Sequence, residues 1–185
     1  MFESVKRAGV PTYRRYVEIR PAEPADWPAI WPIWHEVVAA GETYTWDPAT
    51  GEADARAAWL LPPPAEIWVA VDETVVGTGL LRPNYPGLGA HVANASFMVA
   101  SAAAGRGVGR RLAERLIARA EELGYRSMQF NAVVSTNERA VGLWKSLGFD
   151  VIGTVPEGFR HARLGYVDLY VMYRKLSPAA QRRDG

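Results

Sequence analysis

The segment VASAAAGRGVGRRLAERL carries glycines at 105, 107 and 109 between an apolar run and a strongly periodic helical stretch. Successive glycines let peptide N–H groups turn outward, and the N-terminus of the following helix adds partial positive charge, so the segment suits a phosphate. Arg106, Arg110 and Arg111 stand beside it, and six arginines against three glutamates between Gly105 and Arg126 give a local excess of +3. Three phosphate chemistries compete for this loop. A P-loop requires Lys and then Ser or Thr after its second motif glycine, whereas Gly109 is followed by Arg110 and Arg111. A dinucleotide fingerprint counted from Gly105 requires a small residue at 110 and follows the first strand, and this loop comes late in the chain. The remaining reading is the diphosphate of coenzyme A, cradled by Ala104, Gly105, Arg106, Gly107, Val108, Gly109 and Arg110. The same residues also suit a plain turn with its arginines on a solvated helix face.

The rest of the composition narrows the chemistry. With 185 residues, 49% apolar and 22% charged, the chain is long enough for one core with short tails and too apolar for disorder. Lys plus Arg number 21 and Asp plus Glu 20, a net +1 that lacks the broad positive field of a nucleic-acid or anionic-membrane binder. No cysteine is present, which removes disulfides, thiolate ligands and a Cys nucleophile. The three histidines, His35, His91 and His161, have no metal-ligand spacing, so no metal is expected. No run of about 18 apolar residues offers a membrane span, and MFESVKRAG is no secretory leader, so the expected location is the cytoplasm.

The elements that would position the glycine loop follow from periodicity. Tyr16 to Arg20 reads as a strand closed by Pro21, and Ile30, Ile33, Trp34, Val37 and Val38 form one helical stripe that Pro32 is expected to kink or restart. Loop GETYTWDPATG precedes a helix from Glu52 to Leu61. Two β-branched runs around Asp72 and Glu73 read as a hairpin, and His91 to Ala100 as a further strand. Val108, Leu112, Leu116, Ala120 and Leu123 mark a strong helix ended by Gly124. Arg126 to Val134 is a strand, Thr136 or Asn137 caps a helix carrying Leu143 and Trp144, and FDVIGTV and GYVDLYVMYRKL add two strands. The alternation in the second half predicts parallel pairing around crossover helices, and the hairpins an antiparallel first half. Tails are expected at 1–15 and 177–185, with the folded domain at 16–176.

At this point the chain resembles the GCN5-related N-acetyltransferase family, whose cofactor motif Q/R-x-x-G-x-G/A opens a helix. Ala104, Gly107 and Gly109 stand at the matching positions, so the glycines agree and the leading side chain does not. A second motif, NERAVGLWKSLGF from Asn137 to Phe149, is similar to the family's N-x-x-A-x-x-x-Y-x-x-x-G-F. The resemblance implies a single-domain α/β (α+β) fold, a mixed six- to seven-stranded sheet with helices on both faces. It implies acetyl-CoA as co-substrate, with direct attack of an amine on the thioester. It also implies a bulged strand, here Ser96, Phe97, Met98 and Val99, whose backbone pairs with the pantetheine arm. Asn137 and Trp144 join the implied cofactor set. Where the family usually has a tyrosine credited with protonating the thiolate, this chain has Trp144, whose indole donates a hydrogen bond without releasing its proton near neutral pH. Trp144 equally suits a core position on its helix stripe.

HVANASFMV and QFNAVVSTN resemble their counterparts in proline-analogue acetyltransferases acting on L-azetidine-2-carboxylate, which rely on asparagines rather than a carboxylate base. Asn94, Asn131 and Asn137 match by position. Residue alternation puts Asn94 on a face with Ser96 and Met98, and Asn131 on one with Gln129 and Val133. Asparagine has no strand preference and must find partners inside a sheet, so two such residues on neighbouring strands suggest a polar floor where the strands splay. They would grip or polarise the substrate, or satisfy loose backbone groups; Asn137 also suits a helix cap.

An ammonium substrate needs a base or water chain. His91, at the head of its strand, and Glu42, Tyr44 and Glu157 in loops are the candidates, with Tyr44 and Trp46 as walls of the substrate pocket and FRHARLGYVD as the opposite rim. The expected activity is acetyl transfer to the amine of a small molecule, an amino acid or proline analogue among them. A non-catalytic acyl-CoA-binding or protein-interaction module and acetylation of a protein amine stand as alternatives. Apolar flanks and seven tryptophans allow a homodimer.

Overall fold

The computed structural model describes residues 17–177. Seven strands form one sheet: β1 (Glu18–Pro21), β2 (Glu66–Asp72), β3 (Thr74–Pro83), β4 (Val92–Val99), β5 (Ser127–Val134), β6 (Asp150–His161) and β7 (Gly165–Lys175). Four α-helices accompany them: α1 (Trp27–Ala39), α2 (Glu52–Trp59), α3 (Val108–Glu122) and α4 (Glu138–Ser146). The tails expected at 1–15 and 177–185 lie outside the described residues except for Ser177, as does Tyr16.

The strand order is β1-β2-β3-β4-β5-β7-β6. Only β4 and β5 run parallel, and every other neighbouring pair is antiparallel. The parallel second half expected from alternation is therefore reduced to one pair. The physical reason is that β6 and β7 form a long hairpin, and β7 rather than β6 enters the sheet beside β5.

Period-2 alternation sorts the strands onto two packed faces. Trp68, Leu81, Ala95, Met128 and Phe130 meet Leu112, Leu116, Val141 and Trp144 of α3 and α4. Val69, Leu80 and Met98 meet Trp27, Ile30, Trp34 and Trp59 of α1 and α2. Helices thus cover both faces. The approach of α3 onto β3 requires Gly79, where an added Cβ would stand 2.9 Å from a methyl of Leu116. On the opposite face tryptophans fill the layer: Trp34 is fully buried, and the Trp59 indole donates to the Thr78 hydroxyl at 3.0 Å.

Helix α1 continues through Pro32 from Trp27 to Ala39, so the restart expected from sequence does not occur. Pro32 and Pro28 both lie on its exposed side, so the carbonyl that Pro32 leaves without a helical partner faces water. The turn between β2 and β3 places Glu73 at φ +64, and the helix ends foreseen at Gly124 and Gly148 are left-handed residues.

Candidate active site

The parallel pairing of β4 with β5 ends after two residues, Val92 opposite Ser127 and Ala93 opposite Met128. Beyond Ala93 the strands part. Their separation opens a cleft of about 800 Å³ that runs from Arg82 and Asn131 at one end to the glycine loop at the other.

At the loop end, Gly107 is the residue before α3 and, like Gly105, has φ +79. No side chain caps the helix. The first turn's N–H groups have no partner within the helix, so the cleft meets a cluster of peptide donors with partial positive charge. Nothing lies within 4 Å of a Cβ placed on Gly107, and only Arg139 Nη2, at 4.0 Å, approaches one on Gly105. The cradle is open to a ligand. Ala104, Gly105, Gly107, Val108, Gly109, Arg110, Asn137, Arg139 and Trp144 all border the cleft. Arg110 is held by Ser146 Oγ at 2.7 Å, and Asn137 caps α4 by accepting the Ala140 N–H at 3.1 Å. Trp144 lies between Phe97 and Phe130, with centroids 5.1 and 4.8 Å away, so it serves core and cleft wall together.

Arg106 departs from the sequence expectation. Its guanidinium pairs with Asp72 in the β2–β3 hairpin and is absent from the cleft lining. A neighbouring carboxylate outcompetes the direction that sequence adjacency suggested.

In the middle of the cleft, β4 is regular. Its register with β3 runs without a shift from Gly77 opposite Val99 to Pro83 opposite Ala93, so the bulge implied by the family resemblance is not found in this strand. Splaying alone exposes the backbone. The N–H and C=O of Phe97 face the gap, where the Tyr44 hydroxyl accepts from the N–H at 3.0 Å and donates to the C=O at 2.8 Å. Tyr44 was expected as a pocket wall. It does line the cleft, stacked on Trp46 at 5.1 Å, but its hydroxyl also bridges β4's Phe97 peptide group. Burial pushes the phenol pKa above that of an ordinary tyrosine, so the hydroxyl is a neutral donor and acceptor.

The far end is a row of amides. Asn94 Nδ2 donates to the Gln129 carbonyl at 2.9 Å, replacing the ladder bond that splaying removes. Gln129 Nε2 donates to Asn131 Oδ1 at 2.9 Å, and Asn131 Nδ2 to Asn84 Oδ1 at 2.7 Å. Asn84 is 6% exposed, and its Nδ2 has no partner. Met98 packs with Asn94's side of the sheet as the alternation predicts, but Val133 does not share a face with Asn131. A register shift between Phe130 and Val133 reverses the alternation, and Val133 packs toward α3 and α4.

His91 lies outside the cleft, exposed before β4, its Nδ1 3.0 Å from the Leu88 carbonyl. It precedes β4, which begins at Val92. Glu157 sits in a β6 irregularity and also misses the cleft, its N–H donating to Asp168. The expected opposite rim, FRHARLGYVD, braces the cleft's covering loop instead of lining it. Ala162 N–H donates to the Gly41 carbonyl at 2.9 Å, and Arg163 pairs with Glu42 at 2.6 Å. Arg82, Asn84 and Arg139 are additions that sequence reasoning missed. The strand register on Asn94 was the one signal that would have found Arg82. Among the described residues no group of three or more His, Asp or Glu is placed to hold a metal, and no helix is long and apolar enough to cross a membrane.

The family model for the acetyltransferase (GNAT) family matches residues 27–149, and the chain belongs to that family. A GCN5-related N-acetyltransferase from Kribbella flavida is 55% identical, with a TM-score of 0.83 over 86% of this chain and 98% of its own. The structure of yncA from Salmonella typhimurium, solved with its cofactor acetyl-CoA, is 27% identical, with a TM-score of 0.74 over 92% of this chain and 99% of its own. N-acetyltransferase aca1 of Schizosaccharomyces pombe is 34% identical over 99 residues, which are 53% of this chain and 47% of that relative's length.

Proposed function

We propose that this chain is an acetyl-CoA-dependent N-acetyltransferase that acetylates the amine of a small molecule. The observation that carries the reading is the continuity of one cleft from the uncapped, glycine-opened N-terminus of α3 to the Phe97 peptide group, which the Tyr44 hydroxyl bridges. The residues present suit the co-substrate: the donor cluster matches a diphosphate, and the gap-facing edge of β4 matches the amide groups of a pantetheine arm. Acetyl-CoA supplies an activated thioester. The chain's part is to hold the diphosphate on the amides of Val108, Gly109 and Arg110, with Arg110 and Arg139 as charged flanks. Trp144 and Phe130 keep water from the middle of the cleft. The Phe97 N–H is a donor for a carbonyl oxygen, available once the Tyr44 hydroxyl turns aside. Asn94 and Asn131 fix the polar floor against which the acceptor amine is oriented. Because the amine attacks directly, the absence of cysteine removes nothing the reaction requires.

Calorimetry with acetyl-CoA combined with a thiol-release screen over small amines tests the reading. The expected result is binding together with amine-dependent release. The Tyr44 hydroxyl seated on the Phe97 peptide favours one second reading, a non-catalytic acyl-CoA-binding module. That module would bind acetyl-CoA and release no thiol above background with any amine.

A further inference from the structure

Arg82 of β3 stands directly opposite Asn94 of β4, with Leu80 opposite Ser96 two residues along on the same face. Directly opposed residues have Cβ atoms about 4.5–5.5 Å apart, so the two side chains leave the sheet side by side, and both residues line the cleft. Arg82 is half-buried. Its hydrogen bond to protein is a long one, Nη1 to the neighbouring Pro83 carbonyl at 3.4 Å. Among the described residues no carboxylate forms an ion pair with it, although seven other pairs are formed elsewhere on the molecule.

The cleft's own acids are Glu36 and Glu42, and neither forms an ion pair with Arg82. Glu42 is held by Arg163 at 2.6 Å, and Glu36 accepts the Ser101 N–H at 3.5 Å. Next to Arg82 the polar groups are amides already oriented by one another, from Asn94 through Gln129 and Asn131 to Asn84. A cation left partly out of water beside neutral amides, with no protein carboxylate, is an incomplete ion pair. The guanidinium's planar fork of donors matches a carboxylate with two parallel bonds.

We propose that Arg82, set opposite Asn94 by the β3–β4 register, anchors a carboxylate of the acceptor, making the substrate a small amino or imino acid rather than a simple amine or a protein terminus. The inference rests on the transferase reading above. Along β4, Asn94 and Phe97 are three residues apart, about 10 Å. That span accommodates an extended arginine side chain and an acceptor whose amine and carboxylate are separated by few atoms. A protein N-terminus carries a peptide bond where this carboxylate would be, and would leave the guanidinium unpaired.

The test compares free acids with their carboxamides, using L-proline, L-azetidine-2-carboxylate and L-alanine against the matching amides. Each is assayed for thiol release, and separately for binding by calorimetry in the presence of coenzyme A. In the wild type the acids are expected to exceed their amides at least about tenfold in kcat/KM and in affinity. Arg82→Gln is expected to lower kcat/KM for the acids about 30-fold or more, mainly through KM, to abolish the preference for acid over amide, and to leave acetyl-CoA affinity within about twofold. Arg82→Lys keeps the charge without the fork and is expected to fall between; it carries the test if the Gln variant does not fold. Equal use or equal binding of acids and amides by the wild type, no binding of any acid, or a preference that survives both variants overturns the proposal. Loss of acetyl-CoA binding in the wild type overturns the transferase reading instead.

Discussion

At the α3 end of the cleft the polar groups are peptide N–H groups, shaped by Gly105 and Gly107 and polarised by a helix. At the β3 end they are side chains, Arg82, Asn94 and Asn131, brought together from three strands. The first is built within one short stretch of chain, and the second exists only through register. A backbone-made cradle depends little on nearby side chains, so Ala104 in place of Gln or Arg leaves its peptide donors intact. A side-chain-made end depends on each group, and it is where the acceptor would be chosen.

Three substitutions sharpen or break this contrast. Gly107→Val should be the most damaging to the cofactor end, because an L side chain at φ +79 costs about 1–2 kcal/mol and projects into an open cradle. Acetyl-CoA affinity measured by calorimetry should fall about tenfold or more. An unchanged affinity would mean that the α3 amides do not hold the diphosphate. Tyr44→Phe should act in the opposite direction, since removing the hydroxyl frees the Phe97 peptide group. Acetyl-CoA should bind a few-fold tighter, about the value of one hydrogen bond, and weaker binding would place the hydroxyl on the ligand rather than in its way. Arg106→Ala should change cofactor binding least. Its partner is Asp72, outside the cleft, so acetyl-CoA affinity should stay within about twofold, while denaturant melts should show a loss of about 1–3 kcal/mol because the buried Asp72 carboxylate gives up its guanidinium.

Much of the fold was legible because helical and strand periodicities are local. The stripe from Val108 to Ala120 and the cap at Asn137 are found where the pattern places them, while Leu123, the last residue of the expected stripe, is exposed at the helix C-cap. The phosphate-type loop was legible for the same reason: its glycines, its helix and its charge lie between Gly105 and Arg126. The strand pairing was not, since a long β6–β7 hairpin and a strand–helix–strand alternation look alike until β7 is seen beside β5. The face of Val133 was misread because a bulge resets the alternation without leaving a mark in residue type. Arg106 and His91 were chosen for adjacency, and neither lines the cleft: one pairs with Asp72 and the other precedes β4.

The order of residues alone gave a run of glycines opening a strong helix at the head of α3, a stretch whose chemistry suits a phosphate. Tertiary structure alone decided that β4 and β5 part after Ala93, that Tyr44 reaches the Phe97 peptide, and that Arg82 faces Asn94 without an acid. Peptide dipoles and periodic burial act over a few residues and are written locally. Which side chains share a cleft depends on strand register and on competition among partners far apart in the chain, and that is settled only when the whole sheet forms.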